Sequence, residues 1–467
     1  MKTQLNRFIK RATPMLFLGV ILVGCALIPE CSKKRPPNVV LVTIDTLRAD
    51  HLGCYGYSRK TSPSIDRIAG EGVLFESAVA QAPWTLPSLA SMMTSKHPLE
   101  LGMMDMAARF SPSVRRLSTY FKEAGYETAA FVSGAYVTMD RGFEVGFDVY
   151  EKVAREDRAV GLNTRMFRWL AKPKKTPFFL WVHYFDVHSD YDAPAPFNKL
   201  FDDTPQSAEI GRTDFLKKVL AGATALDEAH TRALISLYDR EIAYTDAAVG
   251  KLVEQLEERV GTDNTIFAIG SDHGEALMDH GKVLHTLTLY EELVHVPLII
   301  RYPAGLPKGR RVMEVVQNLD ILPTLLDLAG IRPISGLRGE SLVPLARGRF
   351  NKERVAYSHT DTTSQLRHYS HIPLLNKSIF DVRFAMRRGY EKVIFSRNSQ
   401  SMELYNLKKD PHEKNNIYKA DKKRAGHLEK ELFDWIRELR SVSPPPPVHN
   451  PLSPKETEQL RALGYLR

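Results

Sequence analysis

Four side chains of this 467-residue chain stand where apolar segments give way to polar sequence. Asp45 directly follows one apolar run, and the pair Asp272-His273 follows another. Thr85 lies at the predicted start of a helix, two residues before a proline. Two carboxylates, an imidazole and a hydroxyl suit one divalent cation, with the hydroxyl available as a nucleophile. This combination predicts a displacement at phosphorus or sulfur.

Short apolar runs rich in Val, Ile and Phe alternate with amphipathic segments along most of the chain. Such runs are typical of parallel strands that helices cover on both faces. The predicted strands are Val39–Ile44, Thr128–Val132, Phe178–His183, Thr265–Ile269 and Val296–Arg301. Apolar residues at helical spacing predict a long helix around 234–256, and a second helix begins near Asp320. The predicted fold class is α/β, with a doubly wound, mostly parallel sheet between helices.

The carboxyl ends of these strands carry the polar candidates. In open α/β sheets, ligands bind beyond the carboxyl ends of the strands. Asp45, His183 and Asp272 all fall at such ends. We therefore expect distant parts of the chain to meet at one edge of the sheet.

The N-terminus predicts export and a lipid anchor. Residues 1–24 carry four basic residues and no acidic ones, and their apolar run begins at Met15. Its length suits a secretory signal better than a membrane span, which needs about 20 residues. Leu22-Val23-Gly24-Cys25 resembles the lipobox of bacterial lipoproteins, in which the cysteine is lipidated. An uncleaved anchor, or an ordinary signal with a chance cysteine, stays open.

The charge balance argues against a nucleic-acid partner. The formal net charge of +9 falls to +5 once the four basic residues of 1–24 are removed. Three further basic residues lie in the predicted tether 25–36, beside the membrane. The remaining modest positive charge fits an anionic substrate or surface. Cys31 and Cys54 have no metal-ligand spacing, and we expect separate thiols, although a disulfide in an oxidising envelope stays open.

The C-terminal part differs in composition from the rest of the chain. After the predicted catalytic domain 37–345, shorter strand-like runs and many charges precede one amphipathic helix. We interpret 346–440 as a smaller α+β subdomain. The segment 441–467 is predicted to be a proline-rich tail with a short helix near its end.

Several segments in the same order resemble the sulfatase family of the alkaline phosphatase superfamily. The resembling segments are 38–56, 80–94, 125–132, 178–194, 271–303, 320–330, 339–345 and 403–416. The resemblance implies a large α/β domain, a small C-terminal domain, and an active site around one divalent cation, usually calcium. The residues of 410–416, which resemble the family's C-terminal signature, are typical of a turn and are predicted to carry no catalysis.

This sequence departs from the family pattern at positions that matter for chemistry. Sulfatases carry C-x-P-S-R, in which the first residue is oxidised to formylglycine, whereas this chain has Thr85-Leu86-Pro87-Ser88-Leu89. Threonine cannot become that aldehyde because its Cβ already bears a methyl group, so no formylglycine is expected. A second Asp of the family is replaced by Thr46. The family's G-K-W-H segment, with its Lys and His contacts to sulfate, is replaced by Val132-Ser133-Gly134-Ala135.

The altered positions resemble another branch of the same superfamily. Asp45, Thr85, Asp272 and His273 are similar to the metal site of phosphotransferases and phosphodiesterases that use a threonine nucleophile. The resemblance assigns these four residues to the cation. Calcium is the expected ion from the family, and manganese and zinc stay open. Thr85 could also act only as the cap of its helix.

Histidines complete the predicted site. His188 and His285 fall in segments where the family places residues that contact the anionic group or assist the leaving oxygen. His183 and His280 are weaker candidates, because a lone histidine is more often only hydrogen-bonded. A second metal held by Asp186 with His188 and His285 is a further alternative.

Three functions are compatible with the sequence. The first is a cell-envelope hydrolase of sulfate or phosphate esters on a glycan, lipid or small molecule, with Thr85 as nucleophile. The second is a phosphotransferase or phosphodiesterase of the threonine type. The third is an inactive lipoprotein that keeps the fold to bind a ligand, although buried charges without a partner argue against it.

Overall fold

The structure, a computed structural model, describes residues 35–201, 209–349, 352–363, 380–442 and 457–458. The predicted signal, lipobox and tether therefore lie outside the described residues, except for the end of the tether. Most of the predicted tail, including its short helix, also lies outside them. Within the described residues, no helix combines the length and apolar character needed to cross a membrane. Cys54 forms no disulfide within the described part of the chain.

The strands form one large sheet and one small one. The large sheet contains β1 (Asn38–Ile44), β2 (Val73–Val79), β3 (Glu127–Val132), β4 (Val149–Lys152), β5 (Phe178–Tyr184), β6 (Thr265–Ser271), β9 (His295–Val296), β10 (Leu298–Arg301) and β11 (Arg310–Gln317). Its order is β11-β2-β10-β6-β1-β5-β3-β4, with β9 paired to β2. The small sheet contains β12 (Val355–Asp361), β13 (Val382–Arg388), β14 (Glu391–Ser396) and β15 (Ser401–Asn406). A short hairpin joins β7 (Ala276–Leu277) to β8 (Val283–Leu284).

Helices cover both faces of the large sheet. The helices of the described part of the chain are α1 (Pro63–Gly70), α2 (Thr85–Thr94), α3 (Pro98–Leu101), α4 (Leu117–Glu123), α5 (Arg158–Leu170), α6 (Thr213–Leu220), α7 (Glu228–Val260), α8 (Glu291–Val294), α9 (Ile321–Ala329), α10 (Val343–Ala346) and α11 (Lys422–Ser441). Alternate side chains of β1 point to opposite faces: Val39 and Leu41 join one core with α2 and α9, whereas Val40 and Val42 join another with α5 and α7. This two-sided burial explains the continuous apolar runs and confirms the α/β fold class.

The mostly parallel sheet has an antiparallel exception. The predicted strand Val296–Arg301 is interrupted at Pro297, because proline has no N–H to donate to a neighbouring strand. The two pieces, β9 and β10, run antiparallel to their partners. Sequence patterns also missed β2 and β11, whose runs contain charged residues.

The C-terminal region packs against the edge of the large sheet. The small sheet is antiparallel throughout, and α11 covers one of its faces. Its other face joins a core that contains Val79 of β2 and Val315 of β11. These elements fall within the predicted subdomain 346–440, apart from Ser441 at the end of α11, and the boundary stays a prediction.

Candidate active site

Three parallel strands bring the first group of site residues together. β1 lies between β5 and β6, with Thr43 paired to His183 and Ile44 paired to Ser271. Asp45 and Asp272 are the residues that directly follow β1 and β6. One ligand atom from each of Asp45, His183 and Asp272 lies within 4.8 Å of the other two. All three side chains are fully buried.

Thr85 reaches this group from the first residue of α2. Its Oγ1 lies 3.4 Å from Oδ2 of Asp45 and 3.3 Å from Nε2 of His273. The hydroxyl does not cap the helix: the N-cap is Trp84, and no side chain there accepts a capping hydrogen bond. The cap interpretation of Thr85 is therefore wrong. The N-terminal end of a helix favours negative charge, which suits a hydroxyl that must lose its proton.

Hydrogen bonds fix the start of α2 against the end of β6. The Ser88 hydroxyl donates to the carbonyl oxygen of Asp272 at 2.5 Å. The Asn318 amide donates to the carbonyl oxygen of Ser271 at 2.9 Å. Thr85 and Asp272 are thus held on elements that are tied together beside the site.

Unsatisfied polar atoms provide a test of whether these residues fit a cation. Oδ1 of Asp45, Nε2 of His183 and Oδ2 of Asp272 are buried and accept or donate no hydrogen bond within the described part of the chain. Buried polar atoms without partners are costly, and most are paired in folded proteins. Oxygen and imidazole nitrogen are ligands that divalent cations accept. These three residues fit a divalent cation.

The electrostatics of the protein groups agree with this fit. Burial raises the pKa of Asp45 to about 7, and neighbouring Glu275 adds to the effect while His273 opposes it. Burial and the charge of Asp45 raise the pKa of Asp272 to about 6. Burial lowers the pKa of His183 to about 4. The charges of these carboxylates therefore lack the compensation that a cation would supply.

His183 is a stronger candidate ligand than its sequence suggests. Thr43 Oγ1 lies 2.8 Å from Nδ1 of His183, accepts from the Trp181 indole at 3.0 Å, and faces the carbonyl oxygen of Val182 at 3.3 Å. All three groups are satisfied when Nδ1–H donates to Thr43 and the Thr43 hydroxyl donates to Val182. That arrangement leaves the lone pair of Nε2 directed at the carboxylates, as in metal-binding histidines. The pairing of Thr43 in β1 with His183 in β5, which places His183 beside Asp45, is not visible in the sequence alone.

His273, the predicted fourth ligand, lies beside this group. Its Nε2 is 3.6 Å from Oδ1 of Asp45 and 3.4 Å from Oδ2 of Asp272. Its Nδ1 is 2.9 Å from the carbonyl oxygen of Gly274, so the Nδ1–H donates there and Nε2 faces Thr85 as an acceptor. The structure thus brings together all four residues predicted at the cation. Their roles remain predictions.

His188 and His285 adjoin the same site. The His285 ring centroid lies 4.6 Å from that of His273 and 5.1 Å from that of His188. Nδ1 of His285 is 3.3 Å from Oε1 of Glu275, whereas Nδ1 of His188 is 2.6 Å from the carbonyl oxygen of Ser189. Glu275, fully buried and bonded to the Tyr191 hydroxyl at 3.0 Å, escaped sequence reasoning.

Two other candidates lie outside the site. His280 pairs with Glu292 at 2.9 Å and stacks on Tyr290. The Asp186 carboxylate binds Arg158 at 3.1 Å. Among the described residues, the one group of three side chains with metal-ligand geometry is Asp45, His183 and Asp272. The structure therefore gives no support to a second metal at Asp186.

The small sheet anchors the loop that carries His285. The Thr360 hydroxyl donates to the carbonyl oxygen of Thr286 at 2.8 Å, and the Arg383 guanidinium donates to that of Leu287 at 2.6 Å. Thr360 and Arg383 are cross-strand neighbours in β12 and β13. Leu284 and Thr286, on either side of His285, have φ values of 65° and 85°. Such strained backbone persists where the surroundings hold it, as these two donors do.

Comparisons with known proteins find sulfatases. The sulfatase family model matches residues 37–331, and the model of the N-sulphoglucosamine sulphohydrolase C-terminal region matches 280–441. An N-acetylglucosamine-6-O-sulfatase of Bacteroides thetaiotaomicron is 25% identical, with 92% of this chain and 90% of that protein covered. A Delta 4,5-hexuronate-2-O-sulfatase of the same organism is also 25% identical, with 87% and 88% covered.

A solved structure shares the same architecture. The phosphonate monoester hydrolase of Agrobacterium radiobacter superposes with a TM-score of 0.71, covering 87% of this chain and 95% of that chain. At 20% sequence identity, this likeness shows the fold and not the substrate.

Proposed function

The chain belongs to the sulfatase family, and on that premise we propose that it is a metal-dependent hydrolase of anionic esters with Thr85 as nucleophile. The observation that carries the proposal is the position of the Thr85 hydroxyl. It is buried at the start of α2, within 3.4 Å of Asp45 and 3.3 Å of His273. Both neighbours are acceptors for its proton, which is the arrangement of an activated nucleophile and base.

The reaction proceeds in two displacements. Oγ1 of Thr85 forms a bond to the sulfur or phosphorus of the ester as the bond to the leaving alcohol oxygen breaks. The hydroxyl proton passes to Asp45 or His273. Water then attacks the sulfur or phosphorus of the Thr85 ester, which releases inorganic sulfate or phosphate, or a phosphate monoester where the substrate is a diester, and restores the hydroxyl. An acceptor alcohol in place of water would make the enzyme a transferase.

A divalent cation belongs in the same cluster. Asp45, Asp272 and His183 would hold it, with His273 and the Thr85 hydroxyl beside them. When bound, it would compensate the buried carboxylates, lower the pKa of the Thr85 hydroxyl and stabilise charge that develops on the transferred group. Calcium is the expected ion, and carboxylates with imidazole also suit manganese or zinc.

The leaving oxygen takes its proton from one of the two adjoining histidines. We assign this role to His285, because its Nδ1 faces the Glu275 carboxylate, whereas Nδ1 of His188 faces a main-chain carbonyl. A carboxylate is the stronger partner for a ring that carries a proton. His285→Gln should therefore slow esters with poorly acidic leaving alcohols more than esters with acidic ones. An equal loss on both classes would remove the assignment.

The names of the relatives support a substrate class. Two of them are named for sulfate esters on sugars, so we propose a sulfated glycan as the substrate. A phosphate mono- or diester is the second candidate, and one observation favours it. The Thr85 ester can leave only by attack of water or an alcohol, which is familiar chemistry for a phosphoryl group. A panel of aryl sulfates, phosphate monoesters and phosphate diesters separates the two candidates.

The decisive variant is Thr85→Ala. Loss of a nucleophile costs on the order of 10⁴-fold or more in kcat, so turnover should vanish. Thr85→Ser keeps a hydroxyl and should keep measurable turnover. Metal analysis of both proteins should find the cation retained, because Asp45, Asp272 and His183 are unchanged. Full activity of Thr85→Ala would overturn the nucleophile, and wild-type protein without cation or turnover would favour the inactive binding lipoprotein.

We further propose that Cys25 is the lipidated first residue of the mature protein and holds the enzyme at the bacterial cell envelope. The lipobox-like segment 22–25 supports this location. Mass spectrometry of the mature N-terminus should find acyl chains on Cys25, and Cys25→Ala should release the protein from membranes. A mature chain without lipid would contradict the anchor.

A further inference from the structure

A cleft of about 550 Å³ opens beside His188. It lies over the carboxyl ends of β3, β4 and β5 and is lined by residues that follow these strands. Phe185 forms part of its wall, and its ring stacks on His188 with centroids 4.5 Å apart. A Cβ at Gly134 would come within 3.0 Å of the Phe185 ring, so the absence of a side chain at Gly134 leaves room for this ring. The cleft therefore continues the proposed site outward from His188.

The lining carries both signs of charge. The cations are Lys152, Arg155, Arg158 and Arg212, and the acids are Glu156, Asp186, Asp190 and Asp192. The Arg158 guanidinium already forms ion pairs with Asp186 at 3.1 Å and Glu241 at 2.6 Å. A lining of charged donors and acceptors suits a saccharide, whose hydroxyls use both, better than an apolar aryl group.

Arg155 is the cation best placed to meet a ligand. Its guanidinium lies over the Phe185 ring, 5.5 Å from the centroid, on the cleft side of that wall. Its ion pair with Asp190 has an N–O distance of 3.6 Å, beyond a hydrogen bond. Asp190 is also occupied by the main-chain N–H of Thr213. About a third of the Arg155 side chain, 31%, is exposed.

The position of these cations is set by the sheet. The end of β3 supplies only small uncharged residues, Ser133, Gly134 and Ala135. β4 pairs with β3 so that Val132 faces Lys152, and Arg155 follows three residues later. Two of the four cleft cations, Lys152 and Arg155, therefore come from the end of β4 and the residues that follow it.

Resting on the proposed hydrolase function, we propose that this cleft binds a second anionic group of the substrate, with Arg155 as its contact. The substrate class is then a saccharide that carries the ester to be cleaved and, in addition, a carboxylate or a second sulfate. Arg155 determines specificity and takes no part in the displacement.

Direct binding tests the proposal without turnover. The full-length chain with Thr85→Ala is titrated by calorimetry, in the presence of the cation, with three probes. They are a sulfated disaccharide containing a hexuronate, its carboxyl-reduced form, and a disulfated hexosamine. Arg155→Gln is compared with Arg165→Gln, a matched control on the exposed side of α5, where Arg165 pairs with Asp157.

Arg155→Gln should raise the Kd of at least one doubly anionic probe about tenfold, as expected for one lost charge-assisted hydrogen bond. The Kd of the carboxyl-reduced probe should change less than about twofold, and the Arg165→Gln control should match the parent. If the affinity falls only for the hexuronate probe, the anionic group that Arg155 binds is a carboxylate. If it falls only for the disulfated hexosamine, that group is a sulfate. Equal losses on all probes, or no binding of either doubly anionic probe, overturn the proposal.

A separate measurement, turnover of aryl esters, shows whether the proposed function fails. Failure would appear as wild-type enzyme that turns over none of the aryl esters, whereas the calorimetry reports on the cleft alone. Turnover of aryl esters with no effect of Arg155→Gln on binding would remove only the cleft assignment.

Discussion

Two clusters of buried charge in this protein are built in opposite ways. The site cluster, Asp45, His183 and Asp272, has buried polar atoms that lack hydrogen-bond partners within the described part of the chain. The paired cluster, Glu291, Arg387, Lys392 and Glu413, compensates its own charges. Lys392 Nζ lies 2.9 Å from Glu291 and 3.0 Å from Glu413. A self-compensated cluster needs nothing more, whereas an uncompensated one indicates a ligand that completes it.

The paired cluster holds the C-terminal turn on the large domain. Glu413, in the turn predicted to carry no catalysis, accepts from the main-chain N–H of Glu291 at 2.6 Å. Burial opposes ionisation of Glu291, but Arg387 and Lys392 lower its pKa to about 2. Glu413 thus has a structural role that turn chemistry alone did not predict.

Breaking the paired cluster should have the largest effect on stability. Lys392→Met leaves the buried Glu413 carboxylate without its cation and Glu291 with Arg387 alone, which costs about 3–5 kcal/mol of unfolding free energy. Chemical denaturation measures the loss. Lys251→Met is the control, because Lys251 pairs with Glu254 on an exposed helix face and its loss should cost far less than that of Lys392. A loss below 1 kcal/mol for Lys392→Met would mean that the pairing adds little.

Binding of the cation to the site cluster should have the next largest effect on stability. At a cation concentration 100 times its Kd, the metal-free protein should gain about 2.7 kcal/mol of unfolding free energy. Asp272→Asn should remove most of this gain, whereas Lys392→Met should keep it. Denaturation in chelator and then in calcium, manganese or zinc makes the comparison. An unchanged gain in Asp272→Asn would place the cation elsewhere.

Asp45 of the site cluster and Glu291 of the paired cluster should respond to pH with opposite signs. Asp45 has a pKa raised to about 7 in the metal-free fold, above its unfolded value of about 3.9. Its contribution to stability is therefore present below pH 4 and is lost as pH rises toward 7. Glu291 has a lowered pKa, so its contribution is present above about pH 4.3 and is lost as pH falls toward 2.

Two variants separate these contributions. Asp45→Asn should flatten the decline of metal-free stability between pH 4 and 7 and raise stability at pH 7 by roughly 0.5–2 kcal/mol. Glu291→Gln should instead lower stability at pH 7. Chemical denaturation across this pH range, in chelator, gives both curves, and a destabilised Asp45→Asn at pH 7 would contradict the contrast.

The smallest predicted effect concerns the loop that joins the two regions. Arg383→Gln removes the charged donor to the carbonyl oxygen of Leu287, near His285. We expect kcat for an aryl ester to fall about tenfold, with KM and stabilisation by the cation unchanged. The control is Arg397→Gln, at an exposed position after β14. A stability loss without a kcat change would give Arg383 only a structural role.

The sequence predicts those site residues whose position follows from a local pattern of apolar and polar residues. Asp45 and Asp272 follow apolar runs, and adjacent parallel strands must bring their carboxyl ends together, as the structure confirms. His183 was underestimated because Trp-Val-His-Tyr resembles core, and only the pairing of Thr43 with His183 shows where it lies. Glu275 was missed because a carboxylate two residues after His273 carries no pattern of its own. The antiparallel β10 depends on a long-range pairing that short windows do not contain.

The most direct test of the account is the chemical state of Thr85 during turnover. Wild-type enzyme mixed with an aryl ester that it turns over is quenched in acid within one turnover and digested, and its peptides are mapped by mass spectrometry. The account predicts one sulfuryl or phosphoryl group on Thr85, absent from the same peptide of Thr85→Ala. The same group on another residue, or turnover by Thr85→Ala, would contradict it.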